Sequence, residues 1–199
     1  MKKNIGILNY GTGNISSLKN AISKMNMTPI YTSSVNRLSK CDVIILPGVG
    51  SFDTAIKYLK RKKIDIFLKR IADSETKLIG ICLGMEIMCN SSEESRDKIK
   101  GLGLFNGNIL KLKKSNIGWR KILLNKNYAN KYDLKKNTFY YFNHNYYFDG
   151  KKNDIFANVS NMGHIPAIVT KNNLYGIQFH PEKSHGDGMQ ILHEIINSL

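Results

Sequence analysis

The feature that most constrains the fold is a pair of short, wholly apolar runs, each closed by a glycine-containing turn. Residues 43–46 precede Pro47-Gly48, and residues 78–81 precede Cys82-Leu83-Gly84. An uninterrupted apolar run of this length is typical of a strand buried on both faces, as in a parallel sheet covered by helices. Because helical patterns follow both turns, and residues 3–8 begin a similar unit, we predict an α/β fold with a mainly parallel sheet.

The second half of the chain has a different pattern. From about Gly101, short alternating or aromatic runs at 104–112, 121–124, 139–142, 167–170 and 175–179 are separated by turn residues. This pattern predicts an antiparallel hairpin region added to the sheet, and the spacing over 188–199 predicts a closing helix. No repeat or biased linker divides the chain, so we expect one domain over residues 1–199.

The charge of the chain is strongly positive, with 30 Lys and Arg against 15 Asp and Glu and a net charge of +15. Such an excess can indicate a nucleic-acid partner. Only five of the basic residues are arginines, however, and the lysines are spread along the chain rather than clustered. We therefore interpret the charge as a compositional bias and expect no nucleic-acid partner, although a basic binding module stays open as a non-enzymatic alternative.

Cysteine content and hydropathy indicate the compartment. The cysteines Cys41, Cys82 and Cys89 are odd in number and too few for a disulfide framework. No apolar run approaches the ~20 residues of a membrane helix, and the first residues lack a secretory pattern. We expect a cytoplasmic protein without a membrane partner. No Cys or His pair has a compact zinc spacing, so we expect no metal and no cofactor.

The strongest chemical signal is the pentapeptide Gly80-Ile81-Cys82-Leu83-Gly84. Glycines two residues on either side of a nucleophile permit a sharp strand-to-helix turn that presents the side chain. A sulfur at a helix N-terminus is also expected to favour its thiolate form. The alternative is a structural cysteine at a tight turn. A base elsewhere in the sequence is needed to distinguish a nucleophile from a structural cysteine.

That second group is Phe179-His180-Pro181-Glu182, which ends an apolar run. His180 at a strand end can act as a general base toward Cys82 and then as an acid toward a leaving amine. Glu182 can hold the imidazole in one tautomer. Together these residues predict a Cys82–His180–Glu182 triad.

The third signal is the glycine-rich turn at 47–52, again directly after a buried strand. Backbone N–H groups before a helix can stabilise an oxyanion or a phosphate. No Gly-Lys-Ser/Thr follows, so we favour an oxyanion site formed by Val49 and Gly50 together with the N–H of Leu83. Ser51 is expected to cap the helix that follows.

These motifs together resemble the class I (triad-type) glutamine amidotransferases, and more narrowly the glutaminase subunits of imidazole glycerol phosphate synthases. The similarity runs from end to end. It is carried by motifs at 9–14, 46–52, 80–85, 92–95, 101–104, 117–119, 140–144 and 175–184, in the family's order.

The resemblance implies a flavodoxin-like domain that hydrolyses L-glutamine to glutamate and ammonia. It implies that Gly48 and Glu86 line the substrate pocket, and that ammonia passes to a (β/α)₈ cyclase partner in a heterodimer. It also implies that the glutaminase stays nearly idle until the partner binds its substrate and the turn at 47–50 rearranges. Lys183 and Tyr141 match positions at the family's subunit interface.

The chain departs from the family pattern at several positions. Glu86 stands where the family usually has glutamine, and a carboxylate there would repel the substrate's carboxylate. Asn116 and Arg120 replace His and Asn in the family's Pro-His-Met-Gly-Trp-Asn segment. The departures at 115–120 and 142–146 lie where the partner and the ammonia path are expected, so they suit a paralogue that serves a bacterial surface-sugar pathway. A thiol peptidase or deglycase is a further alternative.

Overall fold

The computed structural model describes residues 2–11, 15–48, 50–129 and 138–198. Eleven strands and seven α-helices are defined there. The strands are β1 (Asn4–Leu8), β2 (Thr28–Thr32), β3 (Val43–Leu46), β4 (Lys77–Ile81), β5 (Ser91–Ser92), β6 (Gly107–Arg120), β7 (Ile122–Leu124), β8 (Tyr140–Gly150), β9 (Ile155–Val159), β10 (Pro166–Lys171) and β11 (Leu174–Ile177). The helices are α1 (Ser16–Lys24), α2 (Val35–Leu38), α3 (Phe52–Arg61), α4 (Ile64–Ala72), α5 (Leu83–Ile87), α6 (Lys126–Ala129) and α7 (His185–Asn197).

The main sheet has the strand order β2-β1-β3-β4-β11-β10-β9-β7. Its first five strands are mutually parallel, and the remaining three continue it antiparallel. The α/β fold with a mainly parallel sheet is therefore confirmed. Helix α1 connects the parallel strands β1 and β2, and α2 connects β2 to β3 across β1. These two crossover helices pack in different cores, so they cover opposite faces of the sheet.

Alternate residues of the central strands face two separate cores. Val43 and Ile45 of β3 pack with α1 and α7, whereas Ile44 and Leu46 pack with α3, α4 and α5. Each of these four side chains is at most 2% exposed. Burial on both faces is the reason that the run is apolar throughout rather than alternating.

The antiparallel region differs in part from the sequence prediction, because it is divided between two sheets. Strands β7, β9 and β10 extend the main sheet, but β6 and β8 form a separate sheet with the order β5-β6-β8. Tyr140 and Phe142 of β8 pack in one core, while Phe148 of the same strand packs in the other. A strand outside the main sheet therefore contributes to both of the cores that this sheet separates.

Within the described ranges, no helix combines the length and the hydropathy of a membrane-spanning segment.

Replacing Ile45 by Ala tests the buried character of β3. Ile45 is fully buried, so we expect a loss of about 2–5 kcal/mol in the free energy of unfolding, from lost transfer energy and the cavity left behind. Ile66→Ala is the control, because Ile66 is 46% exposed in α4 and should cost less than about 1 kcal/mol. Denaturant unfolding measures both, and equal effects would contradict the assignment.

Candidate active site

Cys82 lies in a sharp turn between β4 and α5. Its backbone has φ 48° and ψ −112°, an unusual conformation for a residue other than glycine. The turn is held on both sides, because the Cys82 N–H donates to the Ile177 carbonyl at 2.7 Å and the Cys82 carbonyl accepts from the N–H of Met85 at 2.9 Å. Such strain at an ordered residue is typical of functional sites.

Gly84 allows helix α5 to start directly against the neighbouring strand. A Cβ built on Gly84 would lie 2.0 Å from the Leu46 carbonyl oxygen of β3, far inside van der Waals contact. The glycine is therefore required by the close approach of two backbones.

His180 follows the end of the strand next to Cys82. Strand β11 runs parallel to β4 with Ile177 opposite Ile81, so Cys82 and His180 follow the carboxyl ends of neighbouring strands. The imidazole is nearly buried, at 2% exposure. Its Nδ1 lies 2.9 Å from Glu182 Oε1, which leaves Nε2 for proton transfer when Nδ1 carries the proton.

The segment that carries His180 is fixed by strand β8. The His180 N–H donates to the Tyr141 carbonyl at 2.9 Å, and the Ser184 hydroxyl donates to the His180 carbonyl at 2.6 Å. Ser184 also accepts from the Tyr141 N–H at 2.9 Å. These bonds fix the backbone from which the imidazole extends.

The glycine-rich turn contacts Cys82 directly. A Cβ on Gly48 would lie 2.2 Å from the Ile81 carbonyl oxygen and 2.8 Å from the Cys82 Cβ, so only glycine fits there. The Tyr10 hydroxyl, which is buried, donates to the Pro47 carbonyl and anchors the start of the turn. Val49, one of the expected oxyanion residues, lies outside the described residues.

The cap of helix α3 differs from the prediction. Ser51 occupies the N-cap position, but its side chain makes no capping hydrogen bond. The Phe52 N–H instead donates to Glu94 Oε1 at 3.5 Å. Burial raises the pKa of Glu94, and the bond from the Phe52 N–H opposes that rise. A carboxylate at this position is favoured by the positive end of the helix. Glu94 is a site residue that sequence reasoning missed, although the acidic pair at 93–94 belongs to a motif of the resemblance.

The surroundings of Cys82 oppose its thiolate form, contrary to the expectation drawn from the helix N-terminus. Burial raises the pKa of Cys82 well above its usual range, and the negative charge of Glu86 raises it further. The Leu83 N–H lowers the pKa, while Glu182 and Glu94 add smaller increases. Dehydration and nearby acids outweigh the backbone dipole here, so deprotonation requires a base such as His180.

Glu86 is itself buried, with 4% of its surface exposed. Gln178 Nε2 donates to Glu86 Oε1 at 3.3 Å. Burial raises the pKa of Glu86 to about 7, opposed by the bond from Gln178 and assisted by Glu94. This carboxyl changes protonation state in the physiological pH range.

His144 and Asn116 are buried rather than exposed to a partner. Asn116 Nδ2 lies 2.8 Å from His144 Nε2, and His144 Nδ1 lies 2.6 Å from the Tyr146 carbonyl. Burial lowers the pKa of His144 to about 4, opposed by the bond to Tyr146 and assisted by His180. A neutral histidine therefore stands near the candidate base.

Aromatic and basic side chains form an exposed rim beside His180. Trp119, 39% exposed, stacks on His185 with a centroid distance of 4.8 Å and packs edge-on to Tyr141 at 5.8 Å. Lys183 Nζ lies 5.9 Å from the centroid of the Tyr141 ring. We call Trp119, Tyr141, Lys183 and His185 the aromatic rim.

The described ranges hold no group of three His, Cys, Asp or Glu side chains placed to hold a metal ion.

Comparison with known proteins gives one consistent result. Residues 7–197 match the family model described as glutamine amidotransferase class-I. The chain is 41% identical to imidazole glycerol phosphate synthase subunit HisH 2 of Methanococcus maripaludis, covering 96% of this chain and 98% of the relative. It is 37% identical to subunit HisH of Bacillus velezensis, covering 94% and 93%. The solved structure of PurLQS from Thermotoga maritima aligns with a TM-score of 0.77 at 19% identity, covering 99% of both chains, which supports the fold.

Replacing Gly48 by Ala tests how tightly the turn packs on Cys82. The added methyl group would overlap backbone atoms, so we expect a loss of about 1–3 kcal/mol in unfolding free energy. Gly186→Ala is the matched control, because nothing lies within 4 Å of its Cβ position in α7 and alanine favours helix. A Gly48→Ala protein as stable as the control would refute this packing.

Proposed function

Because the chain belongs to the class I glutamine amidotransferase family, we propose that it hydrolyses L-glutamine to glutamate and ammonia with Cys82, His180 and Glu182 as its triad. The observation that carries the proposal is the His180–Glu182 pair, 2.9 Å apart, on the strand end adjacent to Cys82. A thiol with a raised pKa needs a base close by, and an imidazole oriented by a carboxylate is suited to that task.

In the first half of the proposed reaction, Cys82 Sγ attacks the side-chain amide carbon of glutamine. His180 Nε2 takes the thiol proton and gives it to the amide nitrogen as the C–N bond breaks, which releases ammonia and leaves a glutamyl thioester. The Leu83 N–H, with those of Val49 and Gly50, would stabilise the negative charge on the oxygen. Gly48 and Glu86 would line the substrate pocket.

In the second half, water attacks the thioester carbon. His180 takes a proton from the water, the C–S bond breaks, and the proton returns to Cys82 as glutamate leaves. Glu182 Oε1 accepts from His180 Nδ1 and holds the imidazole in one orientation throughout. No metal or redox partner is needed to balance either half.

We infer that the chain acts in a heterodimer with a (β/α)₈ cyclase, which takes up the ammonia. Both relatives described above are named as subunits of imidazole glycerol phosphate synthase, which supports this assembly and a role in histidine biosynthesis in the cytoplasm. The aromatic rim is the surface we propose for the cyclase, because exposed aromatic side chains are typical of interface centres. Lys183 and Tyr141 belong to this rim.

The rim shares its backbone with the triad. Tyr141 accepts from the His180 N–H, and Lys183 directly follows Glu182. A partner that moves the rim would therefore also move the imidazole and its carboxylate. This connection supports a glutaminase whose rate depends on the bound cyclase.

Replacing Cys82 by Ser tests the nucleophile. A hydroxyl is far less readily ionised than a thiol, so we expect glutamate release by the complex with the cyclase to fall at least about a hundredfold. Cys41→Ser is the matched control. Cys41 precedes the amino end of β3, whereas Cys82 follows the carboxyl end of the parallel strand β4, so this substitution should leave the rate unchanged.

Glutamate release and ammonia uptake are measured together in this assay. Unchanged release by the Cys82→Ser protein would refute the triad. Peptide turnover without glutaminase activity would instead indicate a peptidase, and salt-sensitive retention of nucleic acid would indicate a basic binding module. Ammonia transfer only to an amidine-forming enzyme of sugar metabolism would refute the histidine route.

Replacing Trp119 by Ala tests the proposed interface. Loss of a large exposed aromatic side chain at an interface centre should weaken cyclase binding at least about tenfold in titration calorimetry. Ile66→Ala, at a similarly exposed position in α4, should bind as the wild type does. Equal affinities for all three proteins would place the interface elsewhere.

A further inference from the structure

A buried carboxyl–amide pair lies between helix α5 and the end of strand β11. Glu86 is 4% exposed and Gln178 is fully buried. The amide donates from Nε2 to Glu86 Oε1 at 3.3 Å, whereas Gln178 Oε1 is buried without a hydrogen-bond partner among the described residues. The amide nitrogen of Gln178 therefore has an acceptor, whereas its amide oxygen receives no hydrogen bond from the described residues.

The groups that face Glu86 supply no positive charge. In the described part of the chain, no Lys, Arg or His nitrogen lies within 4.0 Å of its carboxyl group. The titratable groups coupled to Glu86 are Cys82 and Cys89 at the two ends of α5, Tyr10 after β1, Glu94 after β5 and Tyr146 of β8. Each of these is neutral or negative, so an ionised Glu86 would be buried without a counter-ion.

We propose that Glu86 is a positioning residue that works as a neutral carboxylic acid, donating its proton to Gln178 Oε1 while it accepts from Nε2, and that loss of this proton slows the reaction of Cys82. A protonated carboxyl group opposite an amide satisfies both amide groups in one closed pair. The inference rests on the proposed glutaminase activity for its kinetic consequence, but not for the pairing itself.

Two costs oppose the ionised form. A deprotonated Glu86 has no proton to give, so the acceptor of Gln178 would stay unpaired in a dry site. The new negative charge would also stand four residues after Cys82, at a position expected to line the substrate pocket. It would oppose both the thiolate and the carboxylate of glutamine.

The direction of the pH dependence follows from burial. Because burial raises the pKa of Glu86 to about 7, the proton is held below that pH and lost above it. At about one pH unit above this value, roughly a tenth of the molecules keep the proton. Activity should therefore fall on the alkaline side of neutrality, where an ordinary thiol enzyme gains thiolate.

The test compares wild type, Glu86→Gln and Glu75→Gln, each in complex with the cyclase. We expect the glutaminase kcat/KM of the wild type to decline above about pH 7. The Glu86→Gln protein has an amide that can pair with Gln178 but cannot ionise, so its kcat/KM should not show this decline. At one pH unit above the pKa of Glu86, its kcat/KM should exceed that of the wild type by about tenfold. Glu75→Gln removes one exposed carboxylate in the turn before β4 and should follow the wild type.

Two measurements separate the kinetic effect from folding. The rate of Cys82 alkylation against pH, located by mass spectrometry, should show a lower apparent pKa for the thiol in Glu86→Gln. Infrared difference spectra between the wild type and Glu86→Gln should show a protonated carboxyl stretch that disappears as the pH rises. A melting temperature equal to that of the wild type would confirm that the variant is folded.

Each outcome decides one claim. An active wild type whose pH profile coincides with that of Glu86→Gln overturns this inference and leaves the proposed function intact, as does an ionised Glu86 in the spectra below about pH 6. A wild-type complex that releases no glutamate at any pH overturns the proposed function, and the infrared titration would then still test the pairing.

Discussion

The close contact between helix α5 and strand β3 is the constraint on which the rest of the site depends. Because Gly84 has no side chain, the helix begins at the Leu46 carbonyl and leaves Cys82 in the turn between β4 and α5. Gly48 likewise packs against the Cys82 Cβ, so two close glycine contacts place Cys82 and the turn that faces it. A bulkier residue at either glycine would separate them.

The tight packing that positions Cys82 also removes it from water. Burial, together with the ionised forms of Glu86 and Glu94, raises the pKa of the thiol, and among the described residues the Leu83 N–H opposes this rise. Under the proposed function, the His180–Glu182 pair is therefore needed to activate this sulfur. A resting thiol of this kind is also protected from adventitious oxidation and alkylation.

The sequence predicted the features that depend on local pattern. Burial is indicated directly by the apolar runs at β3 and β4, and the structure buries both strands. Close backbone approach is indicated by the glycines around Cys82, and the structure shows it at Gly48 and Gly84. The features that it missed depend on long-range contacts. Glu94 caps α3 across more than forty residues of sequence, and β8 divides its aromatic residues between two cores, which no periodicity within either segment could indicate.

The charge state of the site was also beyond the sequence. A helix N-terminus is visible in the pattern, but the desolvation that outweighs it depends on how completely the surrounding chain covers Cys82.

The aromatic rim has a consequence for divergence within such a family. Tyr141 is hydrogen-bonded at both its N–H and its carbonyl to the His180–Ser184 segment. If the aromatic rim is the subunit interface, as we propose, substitutions that adapt it to a different partner would also shift the proposed base, so that binding and hydrolysis would change together.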